Sequence, residues 1–250
     1  MAANGNPQHI TYAKVSSIQL DPAKRVLAIS DIHGNYTGFN EVLQKAGYHD
    51  SDQLLIVGDM VEKGSGSLKV LEKIYRMSLR GPVYATKGNC EVWILEKFRD
   101  REQVLDHISH HENSTFQEMM ERLGMTTENF DHEKMVQEFG YLMEWLNNLP
   151  DILEDPYLYA CHAGMNNPNV TENDRSACLR QDAYEYHKPQ LDRPILVGHW
   201  PTVNYCEKKM NCNPRYQNGV LSLDGGNNVK SDGQLNLVVI NDVTPMEFDW

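Results

Sequence analysis

The 250-residue sequence has no excess of basic residues and no long apolar segment. Lys and Arg number 23 against 35 Asp and Glu, so the formal net charge is −12. Because nucleic acids and anionic membranes are bound through basic surfaces that displace counterions, this charge argues against either partner. No apolar run reaches the roughly 18 residues that a membrane-spanning helix needs. We therefore predict a chain that neither crosses a membrane nor binds nucleic acid.

Cysteine is scarce and carries no disulfide signature. The cysteines form an odd number without a C-x-x-C pair, and they are Cys90, Cys161, Cys178, Cys206 and Cys212. Disulfide frameworks use paired cysteines in secreted proteins, so this pattern favours free thiols and a reducing compartment. Residues 1–11 also lack the basic start and the apolar stretch of a secretion signal. Together these absences predict a cytoplasmic protein.

Internal repeats and low-complexity tracts are missing as well. With 40% hydrophobic residues, a chain of this length can fill one sizeable core, and we expect a single domain over residues 1–250. From residue 26 onward, short apolar runs alternate with polar loops and with predicted helices at residues 36–46 and 67–79. This alternation predicts parallel strands covered by helices, which is an α/β fold. Residues 10–20 are predicted either as an edge strand or as a surface segment.

Polar side chains follow five of the apolar runs. Asp31 and His33 come directly after residues 26–29, and two side chains at this spacing on a strand end point the same way and can hold one metal ion. The later runs lead into the other candidate ligands, which are Asp59, Asn89, His162 and His199. For Asp31 alone, a helix cap is the alternative. Five such loops in order favour a site built at strand ends.

The five loops read S-D-I-H-G, G-D-M-V-E-K-G, G-N-C-E, H-A-G and G-H. They resemble the motifs G-D-x-H-G, G-D-x-V-D-R-G, G-N-H-E, H-G/A-G and G-H of the calcineurin-like metallophosphoesterases, in their phosphoprotein phosphatase branch. The resemblance runs from about residue 26 to the C-terminus. It implies an α+β sandwich, in which central β-sheets are flanked by helices. Residues 220–226 and 234–240 are similar to the closing strand pair of that fold, and we predict two strands around a turn.

The resemblance implies a pair of divalent metal ions. Asp31 and His33 would hold one ion, Asn89, His162 and His199 the other, and Asp59 would bridge the two. Oxygen and imidazole ligands without thiolate suit manganese, which is our first choice, with iron and zinc as alternatives. Two such ions, about 3.5–4 Å apart, clamp phosphoryl oxygens and activate a bridging hydroxide for in-line attack on phosphorus. The positive charge of the ions lets an acidic protein bind phosphate.

Three residues depart from the motifs. Glu62 replaces the family Asp, Lys63 replaces the Arg, and Cys90 replaces a His that helps to protonate the leaving oxygen. A neutral thiol is a poor acid, which predicts that phosphoanhydrides or aryl esters are hydrolysed better than phosphoserine. The alternative is that Glu62, one methylene longer than Asp, acts as the acid. Lys63 keeps the positive charge of Arg but cannot make its bidentate hydrogen bonds, so we expect phosphate to be bound more weakly.

Two further phosphate contacts are implied by the resemblance. Asn89 is expected to contact phosphate, and Arg180 matches the arginine of an aromatic-x-Arg element, although Leu179 or Cys178 stands where the aromatic residue is usual. A surface ion pair is the alternative for Arg180. A cysteine-based phosphatase is excluded, because its C-x5-R loop would need an arginine where the chain has Glu96.

A helical insert is predicted over residues 92–149, where apolar residues recur at helical intervals. It lies between two ligand loops, and we interpret it as a lid or specificity wall. Its histidines are His107, His110, His111 and His132. The spacing of the first three could make a metal-binding face, but no carboxylate motif completes it, so solvated histidines are the preferred interpretation.

The resemblance supports two enzymatic functions. The first is a metal-dependent phosphatase similar to serine/threonine protein phosphatases, and the second is a diadenosine tetraphosphatase-like pyrophosphohydrolase, whose loops are similar to H-A-G and G-H-W here. The substrate is accordingly a phosphoprotein or a nucleotide. A third interpretation is an inactive metal-binding scaffold, and the complete set of ligands argues against it. No motif specifies the natural substrate or the oligomeric state.

Overall fold

The computed structural model describes residues 11–205 and 212–240. The strands in these ranges are β1 (Val15–Ser17), β2 (Val26–Ile29), β3 (Gln53–Val57), β4 (Val83–Thr86), β5 (Ile152–Glu154), β6 (Tyr159–Cys161), β7 (Ile195–Val197), β8 (Arg215–Gln217), β9 (Val220–Ser222) and β10 (Leu237–Ile240). The helices are α1 (Tyr36–Lys45), α2 (Ser67–Ser78), α3 (Asn89–Lys97), α4 (Arg101–His110), α5 (Thr115–Arg122), α6 (His132–Asn148), α7 (Arg175–Arg180) and α8 (Tyr184–His187).

The strands form two sheets. The four-stranded sheet has the order β10-β2-β3-β4, in which β2, β3 and β4 are parallel and β10 is antiparallel to β2. The six-stranded sheet has the order β1-β5-β6-β7-β9-β8, in which β6, β7 and β9 are parallel. At one edge β1 pairs with β5. Of the two predictions for residues 10–20, the edge strand is therefore confirmed.

Alternate side chains of β2 face different layers of the molecule. Val26 and Ala28 pack between the two sheets, in a core that also contains Leu196 of β7. Leu27 and Ile29 point to the other side and join a core shared with α1 to α6. Helices α7 and α8 cover the outer face of the six-stranded sheet. The predicted sandwich of two sheets flanked by helices is confirmed, and each fully buried aliphatic side chain stabilises it by about 1.5–3 kcal/mol.

Polar caps set the starts of several helices. The side chains of Asn35, Asp100, Ser114 and Asp131 accept backbone N–H groups at the starts of α1, α4, α5 and α6. Such caps typically contribute about 0.5–2 kcal/mol each. The two helices predicted before the insert are confirmed as α1 and α2, and each ends one residue earlier than predicted.

Helices α3 to α6 lie where the insert is predicted, and the first of them starts at Asn89. Their apolar side chains, such as Phe116 and Phe139, join the same core as those of α1 and α2. Among the helices of the described ranges, none has both the length and the apolar character needed to cross a membrane. Cys90, Cys161 and Cys178 are free and buried, and Cys212 is buried. Cys206 lies outside the described residues.

The two strands predicted within residues 220–226 and 234–240 are confirmed, but they do not pair as a hairpin, and the segments meet at an isolated bridge between Gly226 and Gln234. Both segments contain a strand, but β9 lies beside β7 in the six-stranded sheet and β10 lies beside β2 in the four-stranded sheet. Alternation of apolar and polar residues identifies a strand and its buried face, but not its partner. The choice of partner depends on contacts with β2, which is far away in the sequence.

Candidate metal centre and active site

The six candidate metal ligands converge at the carboxyl ends of parallel strands from both sheets. Asp31 and His33 follow β2, Asp59 follows β3, Asn89 follows β4, His162 follows β6 and His199 follows β7. The first five are buried and His199 is half-buried. Because parallel strands of one sheet end at a common edge, short loops are sufficient to bring these side chains together.

Four of the six have left-handed backbone conformations. The φ angles are 51° at Asp31, 46° at His33, 48° at Asp59 and 64° at His199. This conformation costs roughly 1–2 kcal/mol for a residue other than glycine. The loops stabilise each other, since the N–H of Asp31 donates to the carbonyl of Gly58 at 3.1 Å and that of His33 donates to the carbonyl of Asp59 at 3.0 Å. Backbone strain of this kind is typical of functional sites.

Asp59 lies between two groups of donor atoms. His33 Nε2 lies 3.8 Å from Asp59 Oδ2 and 3.8 Å from Asp31 Oδ1, whereas His162 Nε2 lies 3.4 Å from Asp59 Oδ1. Metal–ligand bonds of about 2.0–2.2 Å place two ligands of one ion about 3–4 Å apart. The spacings therefore fit one ion on each side of the Asp59 carboxylate.

Backbone carbonyls orient two of the imidazoles. His33 Nδ1 lies 3.2 Å from the carbonyl oxygen of Val61, and His162 Nδ1 lies 3.1 Å from that of Val57. A carbonyl can only accept, so Nδ1 carries the proton in both rings and the lone pair of Nε2 faces the carboxylates. Metal-binding histidines have this arrangement, because the second ring nitrogen fixes the tautomer.

Asn89 connects the remaining two histidines. Its amide oxygen lies 3.3 Å from His162 Nε2. With the amide turned over, its nitrogen takes that place and also donates to His199 Nδ1 at 3.0 Å. The Asn89 side chain can therefore donate hydrogen bonds to both rings through its nitrogen, or it can bind the same cation as the two histidines through its oxygen.

Burial, followed by the neighbouring His162, lowers the pKa of His199 to about 4, so its ring is neutral and able to bind a metal.

A third carboxylate, Asp224, adds to the negative charge of the centre. It is buried in the loop after β9 and accepts the N–H of Gly226 at 2.7 Å. Burial, followed by repulsion from Asp224 and Asp59, raises the pKa of Asp31 well above its usual value. Buried like charges at such proximity are stabilised by a bound cation. Asp224 is not among the ligands predicted from the sequence, although it follows an apolar run in the same way as they do.

Two asparagines after β9 hold the loop after β2. Asn227 Nδ2 donates to the carbonyl oxygens of Asp31 at 3.2 Å and Ile32 at 2.8 Å, and Asn228 Nδ2 donates to that of His33 at 3.0 Å. These side chains bind backbone atoms and therefore stabilise the left-handed turn that presents Asp31 and His33. No local pattern in the sequence indicates this role.

Glu91 holds the loop after β3 against the start of α3. Its Oε2 accepts the N–H groups of Asp59 at 2.9 Å and Gly88 at 2.7 Å, and its Oε1 accepts that of Met60 at 2.8 Å. The side chain is fully buried. In the sequence Glu91 is only the last residue of the motif G-N-C-E, whereas in the structure it positions the loop that carries Asp59.

Cys90 lies beside Asp59 at the start of α3. Its N–H donates to Asp59 Oδ1 at 2.9 Å, and its Sγ lies 3.2 Å from Asp59 Oδ2. Burial, followed by the negative charges of Asp59 and Glu91, raises the pKa of the Cys90 thiol well above its usual value. In this environment the isolated thiol is protonated and is a weak acid.

Both carboxylate oxygens of Glu62 are bonded to the insert. His107 Nε2 donates to Oε2 at 2.8 Å, and the N–H and hydroxyl groups of Thr115 donate to Oε1 at 2.9 and 2.7 Å. Burial alone would raise the pKa of Glu62, but the hydrogen bonds from His107 and Thr115 lower it below its usual value. An ionised and fully bonded carboxylate has no proton to give, so this geometry disfavours the alternative in which Glu62 acts as the acid.

The interpretation of the insert histidines as solvated is wrong for His107. Its side chain is buried, and its ring stacks on that of His111 with 4.3 Å between the centroids. His110 and His111 are exposed, as expected, whereas His132 is half-buried and its Nε2 lies 2.8 Å from the carbonyl oxygen of Phe98. The partner of His107 lies in a distant loop, so its spacing within the insert could not reveal the contact.

Lys63 and Arg180 lie near one aromatic ring. Lys63 Nζ is 6.0 Å and Arg180 Cζ is 5.2 Å from the ring centroid of Trp93. Both cations are exposed, and neither pairs with a carboxylate in the part of the chain that the structure describes. Trp93 follows Asn89 by about one turn of α3, so the two share a helix face. Trp93 therefore places an aromatic ring beside Arg180, although neither Leu179 nor Cys178, which precede Arg180 in the sequence, is aromatic.

Comparisons with known proteins agree with this arrangement. The sequence model of the calcineurin-like phosphoesterase family matches residues 24–239. The asymmetrical bis(5'-nucleosyl)-tetraphosphatase PrpE of Bacillus cereus strain Q1 is 27% identical over 228 residues, covering 79% of this chain and 84% of that protein. The symmetrical bis(5'-nucleosyl)-tetraphosphatase of Buchnera aphidicola strain 5A is 43% identical over 65 residues, or 26% of this chain. That match spans only 23% of the Buchnera protein.

Solved structures share the fold. A candidate diadenosine tetraphosphatase superposes with a TM-score of 0.62 at 19% identity, covering 91% of this chain and 94% of that chain. A protein serine/threonine phosphatase from Saccharomyces cerevisiae superposes with a TM-score of 0.54 at 12% identity, covering 86% of this chain and 71% of that chain. At these identities the two structures establish the similarity of the fold alone.

Proposed function

Because the chain belongs to the calcineurin-like phosphoesterase family, we propose that it hydrolyses phosphate esters or anhydrides with two divalent metal ions. The observation that carries the proposal is the Asp59 carboxylate, whose two oxygens face His33 on one side and His162 on the other. The residues proposed to hold the ions are Asp31, His33, Asp59, Asn89, His162 and His199. When bound, the ions would orient phosphoryl oxygens and activate water. Manganese is the first ion to test.

The residues around the centre have separate proposed roles. Lys63 and Arg180 are free to receive phosphate oxygens, and Trp93 holds both cations near one place by cation–π attraction. Asn89 would contact phosphate beside its metal. Glu62 positions the loop, since its contacts with the insert fix the left-handed backbone from which Lys63 extends. Each role concerns binding or orientation, which supplies much of the rate enhancement in phosphoryl transfer.

The environment of Cys90 favours substrates with good leaving groups. A buried thiol next to Asp59 is a poor proton donor, and the carboxylate of Glu62 is occupied by His107 and Thr115. Alkyl phosphates such as phosphoserine need a proton on the departing oxygen more than anhydrides or aryl esters do. A dinucleotide polyphosphate, the substrate class named for the Bacillus relative, therefore fits this centre. A phosphoprotein is the second candidate, and an inactive scaffold is the non-enzymatic one.

The test compares p-nitrophenyl phosphate, a phosphothreonine peptide and diadenosine tetraphosphate, with manganese added to metal-stripped protein. We expect kcat/KM to be highest for the anhydride or the aryl ester. Cys90→His should raise the peptide rate selectively, by about 10²-fold at most, because an imidazole can act as general acid. The variant Asp59→Asn is the inactive control.

Two results would change the proposed function. If the peptide is the best substrate and Cys90→His changes little, the protein phosphatase is the better assignment. If the protein binds manganese but turns over none of the three compounds, an inactive metal-binding scaffold is the better assignment.

We also propose a cytoplasmic location, because free thiols are present among the described cysteines. Localisation of a tagged protein to an oxidising compartment would contradict it.

A further inference from the structure

Cys90 belongs to a cluster of metal-binding side chains. Its Sγ, His33 Nε2 and a carboxylate oxygen of Asp59 all lie within 4.8 Å of one another, and all three residues are buried. Asp59 Oδ2 lies 3.2 Å from the sulfur and 3.8 Å from His33 Nε2. The sulfur is therefore close to the Asp59 oxygen that faces His33. These distances are as short as those among the oxygen and nitrogen ligands themselves.

We propose that Cys90 is a thiolate ligand of the ion that His33 and Asp59 hold. The inference rests on the proposed metal centre and adds to it a ligand that the family motif, with a histidine at this position, does not contain. On binding, the thiol proton passes to solvent and a metal–sulfur bond forms, without any change of oxidation state. The positive charge of the ion reverses the local electrostatics that keep the isolated thiol protonated.

A sulfur ligand changes the metal preference of one of the two sites. Thiolate favours zinc, iron or cobalt, whereas oxygen and nitrogen ligands alone also suit manganese. The site of His33, Asp59 and Cys90 would then select a more thiophilic ion than the site of Asn89, His162 and His199. A bound thiolate also has no proton to give, which strengthens the expected preference for good leaving groups. The chemical class of the ion is a borderline divalent transition metal.

The test is the absorption spectrum of the metal-stripped full chain during titration with cobalt(II). We expect a sulfur-to-cobalt charge-transfer band in the near ultraviolet that grows with the first equivalent of cobalt. Cys90→Ser should lose the band and still bind cobalt, as measured by cobalt retained after desalting. Cys212→Ser removes another buried cysteine, which lies outside the cluster, and should keep the band.

Two spectroscopic results would overturn the inference. The first is a wild type that binds cobalt without the band, and the second is a band that persists in Cys90→Ser. In both cases the metal centre stands and Cys90 is only a buried thiol bonded to Asp59. A wild type that binds no cobalt would overturn the proposed metal centre together with its sulfur ligand.

X-ray absorption at the zinc edge tests the same inference without any variant. A zinc–sulfur distance of about 2.3 Å in the zinc-loaded wild type, distinct from nitrogen and oxygen ligands at about 2.0–2.2 Å, is the expected result. A first coordination sphere of nitrogen and oxygen alone would contradict it.

Discussion

At the residue scale, positions that depart from the family motif have acquired partners from elsewhere in the chain. Glu62 is bonded to His107 and Thr115 of the insert, and Trp93 provides the aromatic ring beside Arg180. Cys90 has an ordinary hydrogen-bond partner in Asp59, but no imidazole. Glu62 and Cys90 therefore keep hydrogen-bond partners, whereas the buried Nδ1 of His107 has none among the described residues. Such an unsatisfied group costs about 1–3 kcal/mol.

The contact between Glu62 and His107 can be tested with a double-mutant cycle. Glu62→Gln and His107→Leu should each lower the free energy of unfolding by about 1.5–3 kcal/mol, because each removes a buried charge-assisted hydrogen bond. The double variant should lose less than the sum of the two, since both changes remove the same interaction. Denaturant unfolding gives the free energies. Inhibition by inorganic phosphate reports on the position of Lys63, and we expect this inhibition to weaken in both single variants.

The same variants separate positioning from proton donation. If Glu62 only positions its loop, the rates for p-nitrophenyl phosphate and for the phosphothreonine peptide fall in equal proportion in Glu62→Gln. If Glu62 were the acid, the peptide rate alone would fall steeply, and His107→Leu would not reproduce that selectivity. The second outcome would restore the alternative that the geometry of Glu62 disfavours.

At the element scale, the loop after β9 in one sheet holds the loop after β2 in the other. The contact consists of side-chain amides on backbone carbonyls, in which Asn227 binds those of Asp31 and Ile32. The loops are thus fixed before any ligand arrives, and this preorganisation lowers the cost of binding a metal. Glu91 has the same function between the loop after β3 and α3.

Asn227→Ala should weaken metal binding by about 10–100-fold, because the turn that presents Asp31 and His33 loses two of its hydrogen bonds. Asn236→Ala is the matched control, since Asn236 is also buried and also binds two carbonyl groups, those of Cys212 and Leu223. We expect the control to lose stability with little change in metal affinity. Isothermal titration with zinc measures the metal affinity of both variants. Equal losses of affinity in the two variants would contradict a specific role for Asn227.

At the scale of the whole molecule, two sheets pack face to face and each contributes proposed ligands from the carboxyl ends of parallel strands. The four-stranded sheet provides Asp31 and Asp59, and the six-stranded sheet provides His162 and His199. Binding of the proposed ions would therefore join the two sheets and should stabilise the fold, by about 2.7 kcal/mol at a free metal concentration of 100 times Kd.

The sequence predicts this arrangement as far as it depends on local features. Ligands such as Asp59 could be found because each directly follows an apolar run, and the layers could be predicted from the alternation of strands and helices. The roles of His107 and Asn227 could not be found, because their partners lie in distant segments. The partner of the strand within residues 234–240 was mistaken for the same reason, since alternation carries no information about long-range pairing.

The measurement that tests the central claim most directly is the number of zinc ions bound per chain at equilibrium dialysis, in the wild type and in Asp59→Asn. We expect two ions in the wild type and at most one tightly bound ion in the variant, because each oxygen of Asp59 faces a different group of ligands. Asp52→Asn, at a buried aspartate paired with Arg25, should still bind two. A wild type that binds no zinc, or an Asp59→Asn variant that still binds two ions with unchanged affinity, would contradict a dinuclear centre bridged by Asp59.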